Sequence, residues 1–387
     1  MISMEEVDMY ISFNVPPYTG EEEKYINEVL KSHMICGDGQ FTRKCNKWME
    51  QTFNSKKVML TTSGTSALDM AVMLCDISEG DEVILPSYTF SSTANAIILN
   101  GGVPVFVDVR PDTMNIDETM IEAAITDKTK AVIVVHYAGV ACEMDAVMKI
   151  ASRYGLKVIE DAAQSIMSRY KGRYLGTIGD IGCFSFHETK NLSMGEGGAI
   201  SLNDEKYIDR AEILREKGTD RSKFYRGQVD KYTWVDKGDS FLPSELNAAY
   251  LYPQLLRAKE MTAHRIECWD EYYRGLIHLV DEGLIECPVI PEACIQNGHM
   301  FYIKVRDITE RTKLISYLKT NDIGSVFHYI PLHSSPAGIK YGRFNGEDVY
   351  TTKEASRLLR LPMHCELSRK DVRRICDTIN NYFGTER

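Results

Sequence analysis

From residue 57 onward the chain alternates short, almost continuously apolar runs with longer amphipathic ones. "KVMLTTS" is followed by "SALDMAVMLCDI", "DEVILPS" by "STANAIILN", and "VPVFVDV" by "DETMIEAAI", and the alternation continues through "KAVIVVHY", "EMDAVMKIASRYG" and "LKVIEDAA". A strand with no polar face must be covered on both sides, and the helix-length segments between the runs supply that cover. The pattern predicts an α/β fold on a large, mostly parallel sheet.

After about residue 200 the rhythm changes. "EKYIDRAEILREKG" and a long stretch from Pro243 to about Asp281 read as helices, and Pro253, which lacks an N–H, is expected to kink or interrupt the second. Beyond it "HMFYIKV" and "SVFHYI" read as strands, with "RTKLISYLKTN", "TTKEASRLLR" and "KDVRRICDTINNYF" as helices. The expected organisation is a large α/β domain with an N-terminal segment over residues 1–250 and a smaller α+β domain over 251–387.

Composition narrows the function classes. A formal net charge of -10 argues against a broad electrostatic grip on nucleic acid or an anionic membrane. No basic region leads into an apolar run near the start, and "AVIVV" and "AIIL" are too short to span a bilayer, so neither a secretory signal nor membrane attachment is expected. Ten cysteines without one C-x-x-C pair fit neither a zinc ribbon nor a disulfide scaffold; reduced thiols in a cytoplasm are the expectation.

In a parallel α/β sheet, ligands collect at the carboxyl ends of the strands. Four such junctions carry polar residues. At "TTSGTSALDM", Gly64, Thr65 and Ser66 open a helix whose free N–H groups suit a phosphate, although Ser63 or Thr65 could simply cap that helix. "DEVILPSYTF" displays Tyr88 and Phe90, rings that either stack on a flat cofactor or pack in the core. "KVIEDAAQS" ends in Asp161, with Gln164 three residues on; the acid would serve a cationic ring nitrogen or cap a helix starting at "AAQS". "IGDIGCFSFHETK" leads to Lys190 and a glycine-rich turn, a hairpin bend where a dehydrated amine turns nucleophilic, if it is not plain surface. His187 and Glu188, beside it, receive no role.

No G-x-x-x-x-G-K-[ST] is present, which removes the P-loop nucleotide hydrolases, and no early G-x-G-x-x-G, which weakens a nicotinamide oxidoreductase. Phosphate donors, a stacking ring, an acid and a lysine are together the requirements of pyridoxal 5'-phosphate.

Motifs in order along nearly the whole chain resemble the DegT/DnrJ/EryC1/StrS family of pyridoxal-phosphate-dependent sugar aminotransferases: "GDGQFTRKCNKWME", "TTSGTSALDMA", "PSYTFSSTANAI", "VFVDV", "VIEDAAQS", "GDIGCFSFHETKNLSMGEGGAI" and "FHYIPLHSS". The resemblance implies the aminotransferase fold of type I. It implies that Lys190 attaches the cofactor, Asp161 faces its pyridine nitrogen, Gln164 its phenolic oxygen and Phe90 its ring face. Gly64, Thr65 and Ser185 are implied as phosphate contacts, with Ser66 nearby. Ser240 stands where many members carry an Asn that reaches the partner subunit's cofactor phosphate, so a homodimer with shared sites is implied. Tyr329 and His333 lie in a segment implied to approach the substrate. The implied reaction moves an amino group from glutamate to the C4 ketone of a nucleotide-linked 4-keto-6-deoxyhexose, without a metal. Members that act as dehydratases replace the lysine by His, so Lys190 favours transamination. Two other readings of the same scaffold are an amino-acid lyase or decarboxylase and a non-catalytic cofactor-binding regulator.

Overall fold

In a computed structural model that describes residues 10–385, the alternating runs assemble into one eight-stranded sheet. Its strand order is Lys57–Thr61, Gly198–Leu202, Ile181–Ser185, Lys157–Asp161, Thr129–Val135, Glu82–Pro86, Val103–Val107 and Arg343–Phe344. Every neighbour pair is parallel except the two made by Gly198–Leu202, which runs against both Lys57–Thr61 and Ile181–Ser185. The parallel strands therefore all end at one edge of the molecule.

Side-chain alternation explains why the strands read as unbroken apolar runs. Met59, Val83, Leu85, Ile133, Ile159 and Ile200 face one layer, with helices Gly64–Leu74, Ser91–Leu99 and Ile208–Arg215. Ile84, Val105, Val132, Val134 and Val158 face the opposite layer, under helix Met144–Tyr154, while Val58, Leu60 and Phe184 meet helices Gln40–Phe53 and Glu245–Leu256 there. Each such side chain contributes about 1.5–3 kcal/mol by leaving water, and both faces need it.

A second core joins Cys268, Tyr272 and Leu276 of helix Ala258–Asp281 to Ile375 and Ile379 of helix Arg369–Thr385 and to a three-stranded antiparallel sheet. That sheet has Leu358–Leu361 at its centre, between Phe301–Lys304 and Val326–Phe327. The expectation that "TTKEASRLLR" is one helix is corrected: the helix stops at Arg357, and the last three residues join Leu361 in the central strand Leu358–Leu361. Pairing on both edges and burial of Leu358, Leu359 and Leu361 outweigh the local preference of Leu and Arg for helix.

Pro253 does not break its helix. The chain continues helical to Leu256 and turns at Arg257, where the next helix begins, four residues later than the proline. Nor is the C-terminal half confined to the second sheet: Arg343–Phe344 extends the large one, and the Arg343 guanidinium grips Glu82 at 2.9 and 3.0 Å. Asp108, just past Val103–Val107, accepts the N–H groups of Val349, Tyr350 and Thr351. Among the described residues no helix is long and apolar enough to cross a membrane, and all ten cysteines are free.

Candidate active site

The carboxyl ends of the parallel strands open into a cavity of about 540 Å³. Gly64, Thr65, Phe90, Asp161, Gln164, Ser185, Lys190 and Tyr329 all line it, so five stretches far apart in sequence converge on one space.

Lys190 sits in the connection between the antiparallel strands Ile181–Ser185 and Gly198–Leu202, its N–H bonded to the His187 carbonyl at 2.9 Å. Its side chain reaches back into the cavity. Dehydration of the amine there pulls its pKa down from 10.5 to about 8, against the opposing attraction of Asp161 and with a further push from Arg360. An amine in that range is partly neutral near physiological pH, which a surface lysine is not.

Asp161 ends its strand on the same face as Ile159. There the Thr93 hydroxyl donates to Oδ2 at 2.9 Å and the Ala163 N–H to Oδ1 at 3.2 Å. No helix follows; residues 162–168 form turns, so the helix-cap alternative fails. Burial raises the carboxyl's pKa, partly offset by those two donors and by the charge of Lys190. Glu160, one residue earlier, faces the other way. It accepts three backbone N–H bonds, from Gly176, Ile178 and Gly179, and a bond from His136 at 2.9 Å. Burial opposes its charge, but these donors hold its pKa below the usual range. The fold thus solvates Glu160 fully and leaves Asp161 short of positive charge.

Gly64 begins a helix whose N-cap is Ser63, the Ser63 hydroxyl accepting from the Ser66 N–H at 3.0 Å. The first intrahelical bond runs from the Ala67 N–H to the Ser63 carbonyl, so the N–H groups of Gly64 and Thr65 precede the ladder and remain available. Thr65 and Ser92 share a hydrogen bond at 2.7 Å between the starts of two helices, a pair of positive dipole ends. Gly64 is required by contact: a Cβ there would lie 2.8 Å from the Ser185 Cβ. Gly64→Ala should displace Ser185 and weaken phosphate binding about tenfold, as overpacking of 1–3 kcal/mol implies; a cofactor titration followed by fluorescence measures it.

Several expected residues are placed differently. Ser66 is engaged by Ser63 and by the Thr62 hydroxyl at 2.8 Å and lies outside the cavity lining. Tyr88 is fully buried against Tyr137 and Tyr329, whereas Phe90 is 58% exposed on the rim, its ring 6.2 Å from Tyr329. Gln164 is fixed, its Oε1 accepting from the Ala138 N–H at 2.6 Å and its Nε2 donating to the Tyr329 hydroxyl at 3.0 Å. Ser240 is exposed and outside this cavity. His333 is also outside it, and Ser87 and Asp348 hold its two ring nitrogens at 2.6 and 3.2 Å. His333→Ala should therefore lower stability by about 1–2 kcal/mol in a denaturant melt.

His187 lines the rim, paired with Glu196 at 3.5 Å, and Glu188 is exposed. Residues that the sequence reading missed complete the lining: Thr93, Phe13, Asn14, His299, His328 and Arg360. A polar residue on the apolar strand "LLRL" was the one visible signal, for Arg360.

A buried carboxylate with no ion-pair partner and a dehydrated amine with no hydrogen-bond partner among the described residues, together with free N–H groups at a helix start, fit pyridoxal 5'-phosphate, whose ring nitrogen, aldehyde and phosphate complement them in turn. The large sheet with one reversed strand and this cavity at its carboxyl edge define a pyridoxal-phosphate-dependent aminotransferase. The chain belongs to the DegT/DnrJ/EryC1/StrS aminotransferase family, whose model matches residues 17–380.

Relatives agree. The chain is 33% identical over 380 residues to the spore coat polysaccharide biosynthesis protein SpsC of Bacillus subtilis, covering 96% of this chain and 97% of SpsC. It is 32% identical over 379 residues to GDP-perosamine synthase of Escherichia coli O157:H7, covering 97% and 99%. Among solved structures, the PLP-form of the putative sugar aminotransferase Spr1654 from Streptococcus pneumoniae superposes with a TM-score of 0.86 at 26% identity, covering 96% and 98%.

Proposed function

We propose that the protein transfers an amino group from glutamate to the C4 ketone of a nucleotide-linked 4-keto-6-deoxyhexose. The substrate of choice is dTDP-4-dehydro-6-deoxy-D-glucose and the product dTDP-4-amino-4,6-dideoxy-D-galactose, destined for lipopolysaccharide or another surface polysaccharide. The observation that carries this reading is the Lys190 amine with its depressed pKa in one cavity with the cation-poor Asp161. SpsC and GDP-perosamine synthase, by their names, work in sugar chemistry. The motifs "SFHETKN", "YTWVDKGDSFLPSELNAAYL" and "PLHSSPAG" resemble those of the family's dTDP-4-amino-4,6-dideoxygalactose transaminase, which supports choosing the dTDP-linked substrate.

The residues divide the work. Asp161 would hold the pyridine nitrogen as its protonated form, and the Gly64 and Thr65 N–H groups with the Ser185 hydroxyl would hold the phosphate. Phe90 would lie against the ring, and Gln164 would donate to the phenolic oxygen. Bound there, the cofactor supplies a carbonyl to carry the amino group and a ring that draws off electrons from the adjacent carbon. Lys190 anchors it. The Lys190 Nζ would also be the proton carrier, taking the proton from the donor's α-carbon and passing it on within the site, as its partial neutrality allows. In the sugar half-reaction the same amine delivers a proton to C4. Tyr329, bonded to Gln164 in the cavity lining, would meet the substrate.

The site is proposed to be shared in a homodimer, Ser240 reaching the partner subunit's cofactor phosphate, and the enzyme to work in the cytoplasm. A lyase or decarboxylase remains the alternative chemistry for Lys190 and Asp161. The test is a panel of dTDP-, UDP- and GDP-linked 4-keto-6-deoxysugars with glutamate, products identified by NMR. A C4 amine on the dTDP sugar alone supports the proposal; amination only of another nucleotide's sugar refutes the dTDP assignment.

The depressed pKa makes a separate prediction. Only the neutral amine attacks an aldehyde, so the rate at which cofactor-free protein captures pyridoxal phosphate should fall about tenfold per pH unit below about 8 and level off above it. Stopped-flow absorbance measures this without any substrate.

A further inference from the structure

Arg360 is the strongest unused group in the molecule. It lies at the centre of the small sheet, opposite Tyr302 on one side and Val326 on the other. Its neighbours Leu359 and Leu361 point into the second core, so alternation turns Arg360 the other way, into the cavity. The guanidinium lies over the Phe13 ring at 5.0 Å. Its Nε is buried without a hydrogen-bond partner, and among the described residues no carboxylate pairs with it.

The rest of the lining sharpens its meaning. Lys190 and Arg360 are the only lysine or arginine among the described lining residues. His299 and His328 are neutral, burial pushing both pKa values well below 6.5. Arg360 is also near enough to Lys190 for its charge to depress the amine's pKa. The phosphate end of the site has helix N–H groups of its own and needs no arginine. A permanent fork of donors, desolvated, unpaired and close to the reacting lysine, is built for an anion that arrives with the substrate.

We infer that Arg360 receives the α-carboxylate of the amino donor and so serves one half-reaction far more than the other. Resting on the transaminase reading, the inference follows from what the two substrates bring to the same place. An amino acid carries a carboxylate on the very carbon that Lys190 deprotonates. A keto sugar carries neutral hydroxyls beside C4, and its diphosphate hangs from C1, across the ring. One cavity must accept both in turn. A guanidinium that hydrogen-bonds a carboxylate in the first half-reaction can donate to a sugar hydroxyl in the second.

The test uses holoenzyme and two probes. 2-Methylglutamate keeps the α-carboxylate but has no α-hydrogen, so it binds without turning over; dTDP reports the nucleotide subsite. Arg360→Gln should weaken 2-methylglutamate at least about 30-fold, the loss expected for a charge-assisted pair, and dTDP less than about threefold. Arg360→Lys should recover part of the first loss. In single-turnover experiments the glutamate half-reaction should suffer at least about tenfold more than the sugar half-reaction. Equal weakening of both probes, equal slowing of both half-reactions, or no binding of 2-methylglutamate by the wild-type holoenzyme overturns the inference. Melting curves identify a misfolded Arg360→Gln, in which case Arg360→Lys carries the comparison. Should glutamate give 2-oxoglutarate while no sugar is aminated, the sugar reading fails and the measurement on Arg360 still stands.

Discussion

Lys190→Ala should abolish transamination, with a loss of at least about 10⁴-fold, since a general acid–base group alone supplies up to that factor and the attachment point disappears with it. The protein itself should survive the change. Lys190 lies in a connecting turn, its amine makes no hydrogen bond among the described residues, and removing it relieves a dehydrated charge rather than orphaning a partner. The decisive readout is chemical. Borohydride reduction should fix the cofactor covalently to the wild-type chain at Lys190, and mass spectrometry should find no such adduct on Lys190→Ala. An adduct on another lysine would relocate the site.

Asp161→Asn should act with opposite signs on two forms of the same protein. Asn is nearly the same shape: its oxygen can keep the Ala163 N–H and its amide nitrogen can donate to the Thr93 hydroxyl, which turns its own proton to Thr89. In the cofactor-free chain, burial raises the Asp161 pKa above its unfolded value. Such an acid holds its proton more tightly when folded, so at neutral pH its ionisation costs stability, and the neutral Asn should leave the melting temperature equal or higher. With cofactor bound, Asp161 would face a cationic nitrogen in the proposed arrangement, and removing one member of a buried charge pair costs about 3–5 kcal/mol. The rate should then fall about 10²–10⁴-fold, and the extra thermal stability gained from cofactor should shrink. Scanning calorimetry on both forms separates the two effects. A loss of stability confined to the cofactor-free form would contradict the role given to Asp161.

Much of this was readable in the chain because the large sheet is local in sequence: each apolar strand is followed by its own covering helix, and the polar residues at the strand ends fall where parallel strands place ligands. Lys190 was legible as the bend between two strands that pair directly, and Asp161 as an acid at the end of an apolar run. What could not be read depends on distant partners. Thr93 matters only because helix Ser91–Leu99 lies against the end of strand Lys157–Asp161. Arg360 was hidden inside a segment with helical propensity, and only pairing with Phe301–Lys304 and Val326–Phe327 makes it a strand that aims the arginine at the cavity. The partners of His333, Ser87 and Asp348, which engage both its nitrogens, are likewise remote along the chain. The long helical stretch is interrupted at Arg257 and not at Pro253 itself. A helix tolerates one missing N–H when the surrounding residues are packed, as Leu251, Gln254 and Leu255 are.

The central claim is that this cavity moves nitrogen from an amino acid to a sugar. The most direct measurement supplies ¹⁵N-glutamate and dTDP-4-dehydro-6-deoxy-D-glucose to the holoenzyme and follows the label by NMR. The account predicts ¹⁵N bonded to C4 of the sugar, one 2-oxoglutarate formed for each amine, and neither product with Lys190→Ala. Label that never leaves the amino acid, with carbon dioxide or a cleaved side chain released instead, would show that Lys190 and Asp161 serve a lyase or decarboxylase.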